Sequence, residues 1–317
     1  VWDLDNTLWD GTLIETDNPK TLKLKPGVEK LIKTLDGRGI LQSIASKNDF
    51  EAAWPILEEL NLAEYFLYPQ IHWGAKSGSL EQIAKQLNIG VNSLALVDDS
   101  PFERKQVNAQ LPCVRCYQDT EIESLDAYPE FQVLVTAESK NRRAMYRAEE
   151  KRNELKVNQQ DTISFLRQCH LKARLFKPET DEEILRCYEL SSRTNQLNMS
   201  GKKYTQEEFS VLIKDPEKKT FAFSCSYDFG VYGIVGFGQY QVQSDTLTIT
   251  EFAMSCRVAG KYVESALFAG LLNSENCGKG TMTVLKTKKN SLLRDTLKDI
   301  GFKIKIEDNN RIEYSFS

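Results

Sequence analysis

Short apolar runs alternate with helical patterns over the first 116 residues, and this rhythm of a parallel sheet flanked by helices constrains the chain more than any other feature. The runs are 1–4, 40–45, 94–97 and 114–116. Between them the spacing predicts helices over 27–35, 51–60 and 79–87. Pro26 opens the first, where its missing N–H costs nothing, and Pro55 predicts a kink in the second. At 317 residues the chain is long enough for two cores. A stretch dense in Glu, Lys and Arg, 138–158, reads as a solvated connecting helix. Beyond it the pattern gives a strand near 171–176, helices over 181–194 and 206–213, and successive strands over 220–227, 233–242 and 246–254. A helix (263–272), a strand (282–287), a helix (291–300) and a terminal strand follow. This is an α+β unit, antiparallel first and crossed over later. The expected division is therefore 1–118, a helical linker 119–160, and 161–317. Because Val1-Trp2 already lie inside an apolar run, a few residues are expected to precede this chain, or it is a piece cut from a larger one.

Charge narrows the possible partners. Forty-one Lys and Arg against 45 Asp and Glu leave a net charge of −4, with no cationic field for a nucleic-acid backbone. No apolar run reaches the roughly 20 residues of a membrane-spanning helix. Seven cysteines, an odd number in so large a chain, do not form a disulfide framework, and no signal peptide is visible. Reduced thiols and a cytoplasmic location are expected.

The chemistry concentrates at Asp3-Leu4-Asp5-Asn6-Thr7, where the first predicted strand ends. Open α/β sheets bind ligands beyond the carboxyl ends of their strands. Alternate residues of an extended chain share a side, so Asp3 and Asp5 would face that crevice together. Two such carboxylates favour a hard cation such as Mg²⁺, which would also grip a phosphate. Asp3 could attack phosphorus while Asp5 handles the proton. An Asx-rich turn is the alternative for the pentapeptide alone. Three further sites fall in the same order. Ser46-Lys47-Asn48-Asp49 offers a hydroxyl and an amide at the next strand tip, Lys76 could neutralise a phosphate, and Asp98-Asp99 supplies acidic ligands.

Together these four sites resemble the haloacid dehalogenase (HAD) superfamily of phosphotransferases, over residues 1 to about 116. The resemblance implies a Rossmann-like parallel sheet with Asp3 as nucleophile or its relic and Asp5 as general acid/base. It implies Ser46 and Lys76 as phosphate binders, Asp98 as a magnesium ligand beside Asp3 and Asp5, and Asp99 as a supporting acid. Thr7, Lys47 and Asn48 are expected among the phosphate- or substrate-binding residues. Little sequence separates the first two strands, so no large cap domain is expected.

In the second unit Met254-Ser255-Cys256-Arg257-Val258-Ala259-Gly260-Lys261-Tyr262 joins a predicted strand to a helix, a junction suited to an anion such as pyrophosphate. With the strand order, it resembles a GNAT acyltransferase fold, whose Arg-x-x-Gly-x-Gly/Ala loop holds the pyrophosphate of coenzyme A or a pantetheine carrier. Arg257 and Gly260 match that pattern; Tyr262 stands where the last small residue belongs.

Trp2-Asp3-Leu4-Asp5-Asn6-Thr7-Leu8-Trp9, Ser46-Lys47-Asn48-Asp49, 97–104, Arg193-Thr194-Asn195-Gln196-Leu197-Asn198 and Met254-Ser255-Cys256-Arg257 resemble the FkbH-like family over nearly the whole chain. That resemblance implies a glyceryl transferase of polyketide pathways. Such proteins take 1,3-bisphosphoglycerate, lose phosphate, and load a glyceryl or derived three-carbon acyl group onto the phosphopantetheine thiol of an acyl carrier protein. It also implies a cysteine nucleophile. Cys256, beside Arg257 and near a predicted helix start, is the candidate, and a buried apolar cysteine is the alternative. Asn195 could line a substrate cleft or cap its helix. Cys113-Val114-Arg115-Cys116 reads as a short strand, since no further ligands of zinc spacing accompany it. The GNAT-like unit is expected to close the HAD crevice. Competing readings are a plain magnesium-dependent phosphatase, a catalytically silent carrier-docking module and a coenzyme A dependent acetyltransferase.

Overall fold

The computed structural model describes residues 1–16, 22–156, 170–227, 230–259 and 261–317. Contacts divide the chain into two units, Val1–Glu150 and Lys151–Ser317.

Trp2 forms the centre of the first unit's sheet, bridging in parallel to Ile44 on one side and Val97 on the other. Ala45–Ser46 pairs in parallel with Gln70–Ile71, and Ala95–Val97 with Arg115–Tyr117. The five segments therefore run in the spatial order third, second, first, fourth, fifth, the doubly wound arrangement of a HAD-like sheet. Val28–Gly37 buries Val28, Leu31, Ile32 and Leu35, one stripe at helical spacing. The helices Phe50–Glu59, Lys76–Gln86 and Pro101–Gln110 follow the second, third and fourth segments. Between the first two segments the described residues carry one short antiparallel pair, Trp9–Asp10 with Lys23–Leu24, and no inserted cap domain.

The sequence reading left out the third segment, near 66–71. Pro69 breaks that apolar run: it supplies no ladder N–H, so the pairing is split between Phe66 opposite Gln42 and Gln70–Ile71.

Residues from 119 onward, expected to begin a linker, pack on the first unit through Glu150. Ile122, Leu125 and Phe131 enter its core. The helix Arg142–Lys156 is anchored at its start: Arg143 pairs with Asp36 at 2.9 Å and with Glu64 at 2.9 Å, and the buried Tyr146 hydroxyl donates to the Leu87 carbonyl. A charge-dense sequence read as solvated is here held down by its own arginines. The end of the expected linker, 157–160, lies outside the described residues.

Gly39 makes this packing possible. Its φ is +68°, and a Cβ there would meet the Ser139 carbonyl oxygen at 2.1 Å. Ser139 is fully buried and locked in a reciprocal cap with Thr136, so it cannot yield. Gly39→Ala is expected to cost about 2 kcal/mol or more. Urea titration would read this as a lower midpoint at unchanged slope.

In the second unit seven strands form one sheet. From one edge to the other they are Lys303–Glu307, Arg311–Phe316, Lys279–Leu285, Thr246–Met254, Gly230–Gln243, Lys219–Tyr227 and Lys172–Phe176. All neighbours are antiparallel except Thr246–Met254 with Lys279–Leu285, which run parallel. Helices Asp181–Arg193, Gln206–Ile213, Val263–Glu275 and Ser291–Asp299 complete a GNAT-like α+β fold. The expected terminal strand is a pair, 303–307 and 311–316. The parallel pairing ends early: only Thr246–Ile249 opposes Lys279–Met282, and a bulge follows between Ile249 and Glu251. Residues 197–199 enter the divergence. Met199 N–H donates to Phe252 O (2.9 Å), Met254 N–H to Leu197 O (2.9 Å) and Leu285 N–H to Met199 O (3.0 Å). No helix among the described residues is long and apolar enough to cross a membrane.

Candidate active site

Four strand ends and one helix start build the site in the first unit. Asp3 leaves the sheet just after its N–H bonds Val97 O at 2.9 Å. Asp98 ends the fourth segment, its N–H on Tyr117 O at 3.1 Å, and is fully buried. Carboxylate oxygens of Asp3, Asp98 and Asp99 lie within 4.8 Å of one another. Lys76, first residue of its helix and 3% exposed, places its ammonium 2.9 Å from Asp3 and 2.5 Å from Asp98. His72 shapes the preceding turn by accepting from Gly74 N–H at 3.0 Å.

The electrostatics follow from one buried cation among three acids. Burial, reinforced by the charge of Asp98, pushes the Asp3 carboxyl up to about 6, although Lys76 and a hydrogen bond from Ser46 pull the other way. Asp99 is raised by burial and by Asp98. Lys76 is raised by its two carboxylate partners, which outweigh burial. Three hard oxygen ligands left short of positive charge suit Mg²⁺, which would be held by Asp3, Asp98 and Asp99. When bound, it would offset their repulsion and that of a phosphate.

Several expected roles change. Asp5, expected as a further metal ligand, stands outside the acidic group. The Trp9 indole N–H (2.9 Å) and the Leu13 N–H (3.1 Å) both donate to its Oδ1, and the Asn48 amide donates to its Oδ2 at 3.1 Å. The cause is local. Leu4 O accepts from Thr7, Leu8 and Trp9 N–H, and Asn6 adopts φ 52°, so the chain coils after Asp3 and turns Asp5 away from it. Thr7 is fully buried and tied to Asp99, whose N–H donates to its hydroxyl at 2.9 Å, so it holds a cluster acid rather than a phosphate. Lys47 is committed to Glu103 at 2.6 Å. The Asn48 amide is shared between Asp5 and the Ser46 hydroxyl (3.2 Å). Ser46, Lys76 and Asp98 stand where the order of motifs puts them, around Asp3.

Four large apolar side chains are exposed in the first unit, among the described residues. Ile14 (73% exposed), Phe50 (39%), Trp73 (62%) and Phe102 (69%) each lie on a segment that follows one of the first four strand ends.

In the second unit the expected residues do not form a comparable cluster. Cys256 is half-buried at the start of a short turn, Cys256–Val258, capped by Ser255; the α-helix begins only at Val263. The Arg257 Nε–H donates to Ser255 Oγ at 3.1 Å. Gly260 lies outside the described residues. Tyr262, half-exposed and at φ 57°, occupies the N-cap position, and Glu264 brings an acid into the first turn. Asn195 is half-buried one residue past the cap, Thr194.

The sequence reading also missed a polar group here. Glu251, at the bulge and 4% exposed, accepts from Ser200 Oγ, the Tyr204 hydroxyl and Phe252 N–H; burial raises its carboxyl. A glutamate inside an alternating strand carries no local signal of burial; the bulge turns it inward.

Fold and site thus define an α/β unit of HAD-like fold with an acidic crevice at its strand ends, followed by an α+β unit of GNAT-like fold. No family model matches the chain. It is similar to human magnesium-dependent phosphatase 1, with 27% identity across 34% of this chain and 68% of that protein. It is also similar to the N-terminal part of BF1531 from Bacteroides fragilis, which contains a phosphatase domain and was solved in complex with Mg: 26% identity, 41% of this chain, TM-score 0.35. This chain spans 39% of that structure's length. The ribosomal-protein-S18-alanine N-acetyltransferase of Escherichia coli is similar at 13% identity, covering 46% of this chain and 93% of its own, TM-score 0.34.

Proposed function

We propose that the protein transfers a glyceryl, or derived three-carbon acyl, group from 1,3-bisphosphoglycerate to the phosphopantetheine thiol of an acyl carrier protein, releasing phosphate. The observation that carries this reading is the convergence of Asp3, Ser46, Lys76, Asp98 and Asp99 at the strand ends of a unit joined to an acyltransferase-like fold. Lys76 and Ser46 would hold the acyl phosphate's phosphoryl oxygens. A cysteine thiolate attacks the acyl carbonyl, the C–O bond to phosphate breaks, and its electron pair leaves with the phosphate. The resulting thioester then exchanges with the carrier's thiol. Cys256 is the assigned nucleophile. The exposure of Ile14, Phe50, Trp73 and Phe102, each on a segment that follows one of the first four strand ends, supports a protein partner.

Intact-mass spectrometry after incubation with Mg²⁺ and 1,3-bisphosphoglycerate tests this. A three-carbon adduct labile to hydroxylamine is expected, and it should be lost in Cys256→Ala. An adduct that persists in that variant overturns the cysteine assignment.

A plain phosphatase is the second reading. The thiol on the strand beside Asp98, Cys116, is pushed up by burial to about 11 and so offers no thiolate at neutral pH. Phosphate release with no protein-bound acyl group would establish that reading instead.

A further inference from the structure

Two turns of the second unit carry lysines and no acid: Ser200-Gly201-Lys202-Lys203 and Lys286-Thr287-Lys288-Lys289. They are far apart in the sequence, and the fold sets them side by side. Leu285 N–H donates to Met199 O at 3.0 Å, and a Cβ on Gly201 would lie 3.0 Å from the Thr287 methyl. The fully buried Asn290 side chain ties the turns together: it donates to Leu285 O at 2.7 Å and to Asn198 O at 3.2 Å while accepting from Thr287 N–H at 3.0 Å. The lysines therefore stand on fixed backbone, and Lys202, Lys203, Lys288 and Lys289 are exposed. Their charge is not neutralised from within. Lys286 pairs with Glu307 at 2.7 Å, but Lys203, Lys288 and Lys289 make no ion pair among the described residues. The Lys203 ammonium donates to two carbonyl oxygens, of Thr194 at 2.6 Å and Ser191 at 3.5 Å. Loss of water around it and the like charge of Lys289 hold it down to about 8. In a chain of net charge −4 this is a local cationic face that a facing anion would relieve.

Its place in the sheet gives that face a use. Thr246–Met254 and Lys279–Leu285 run parallel, so the turn after Leu285 leaves at the same end of the sheet as 255–258, which carries Cys256. Residues 197–199 lie between the two strands, so the lysine turns stand two strand spacings, about 10 Å, from the strand that leads to Cys256. Leu285, 41% exposed, adds an apolar contact beside them. We propose that these two turns dock an acidic face of the carrier protein whose thiol receives the acyl group. This rests on the reading above and adds the partner's landing site to it. Exposed ammonium groups on long stems suit carboxylates spread over a facing surface better than one small anion, which needs converging donors. Such complementarity sets encounter rate and orientation more than raw affinity, and here it brings the partner to the end of the sheet that bears Cys256.

The probe is a fluorescently labelled, phosphopantetheinylated acyl carrier protein with an acidic helical face. Its dissociation constant for the full chain is read by anisotropy at about 50 and 300 mM salt. Wild type is expected to bind, and to weaken about tenfold or more across that range. Lys288→Glu with Lys289→Glu, and separately Lys202→Glu with Lys203→Glu, should each weaken binding about 10- to 100-fold at the lower salt. The corresponding Lys→Gln pairs should weaken it less, in the same direction. Lys30→Glu with Lys33→Glu, the same charge change on an exposed face of the helix Val28–Gly37, should leave it within about twofold. Equal loss in that control pair, no loss in the variants of either turn, or a wild-type chain that does not bind the carrier overturns the proposal. Tighter binding of a single-stranded RNA, lost in the same variants, would assign the face to nucleic acid and overturns it too. Absence of the three-carbon adduct on wild type, a measurement made without carrier, would instead bring down the acyl-transfer reading and the purpose of this face with it.

Discussion

Asp3→Asn is expected to abolish turnover of any phosphate donor, by about 10⁴-fold, the scale of loss on removing an essential group of a catalytic site, while making the metal-free protein more stable at neutral pH. The two effects share one cause. Folding buries Asp3 beside Asp98, and its carboxyl rises from the ordinary 3.8 to about 6. Between those values the folded chain binds more protons than the unfolded one, so stability falls as pH rises through the window. Above about pH 6 the contribution is fully lost, a penalty of about 3 kcal/mol. An asparagine has no charge to desolvate and keeps an oxygen for Lys76. Thermal unfolding in EDTA from pH 4 to 7 should therefore show a downward slope that is steeper for wild type than for the variant. Millimolar Mg²⁺ should raise the wild-type midpoint and flatten that slope; it should do neither in Asp98→Asn. A variant less stable than wild type in EDTA at pH 7 would contradict the argument.

Lys76→Met should have the opposite consequence for the fold. Lys76 is the cation paired with both buried carboxylates, at 2.9 and 2.5 Å. Removing one partner of a buried ion pair leaves uncompensated charge and costs about 3 to 5 kcal/mol, a large share of the 5 to 15 typical of a domain. The loss should be smallest near pH 4, where Asp3 takes a proton, and largest near pH 7. Mg²⁺ should recover part of it, since a cation held by Asp3, Asp98 and Asp99 replaces the missing charge. Activity should still be lost, because nothing then neutralises the bound phosphate. Equal stability of Lys76→Met and wild type in EDTA at pH 7 would show that the carboxylates are not buried as described.

Together the two substitutions separate what the crevice does for chemistry from what it costs the fold. An excess of carboxylate over cation is unfavourable for folding and favourable for binding a divalent ion, so the site sits where stability is given up for function. The second unit carries no equivalent cluster among its described residues. It does bury an ion pair, Arg186 with Glu189 at 2.5 Å.

The alternation of short apolar runs with helical stripes was enough by itself to determine a parallel α/β unit followed by an α+β one, and the motifs at their strand ends carried the HAD-like and GNAT-like resemblance. Those periods are local, and in 27–35 or 246–254 each residue's face is dictated by its neighbours. Motif order likewise determined that Asp3, Ser46, Lys76 and Asp98 would meet, because every strand of a parallel sheet delivers its end to the same edge. Only the tertiary structure decided which of the adjacent polar residues face that edge. Asp5 and Asp3 are two residues apart in sequence, yet the coil at Leu4–Thr7 sends one to Trp9 and Asn48 and leaves the other with Lys76. The same holds for the strand broken by Pro69, for the arginines that seat residues 142–147 on the first unit, and for the bulge that buries Glu251. Each depends on a partner far away along the chain, and spacing along a sequence carries no record of who that partner is.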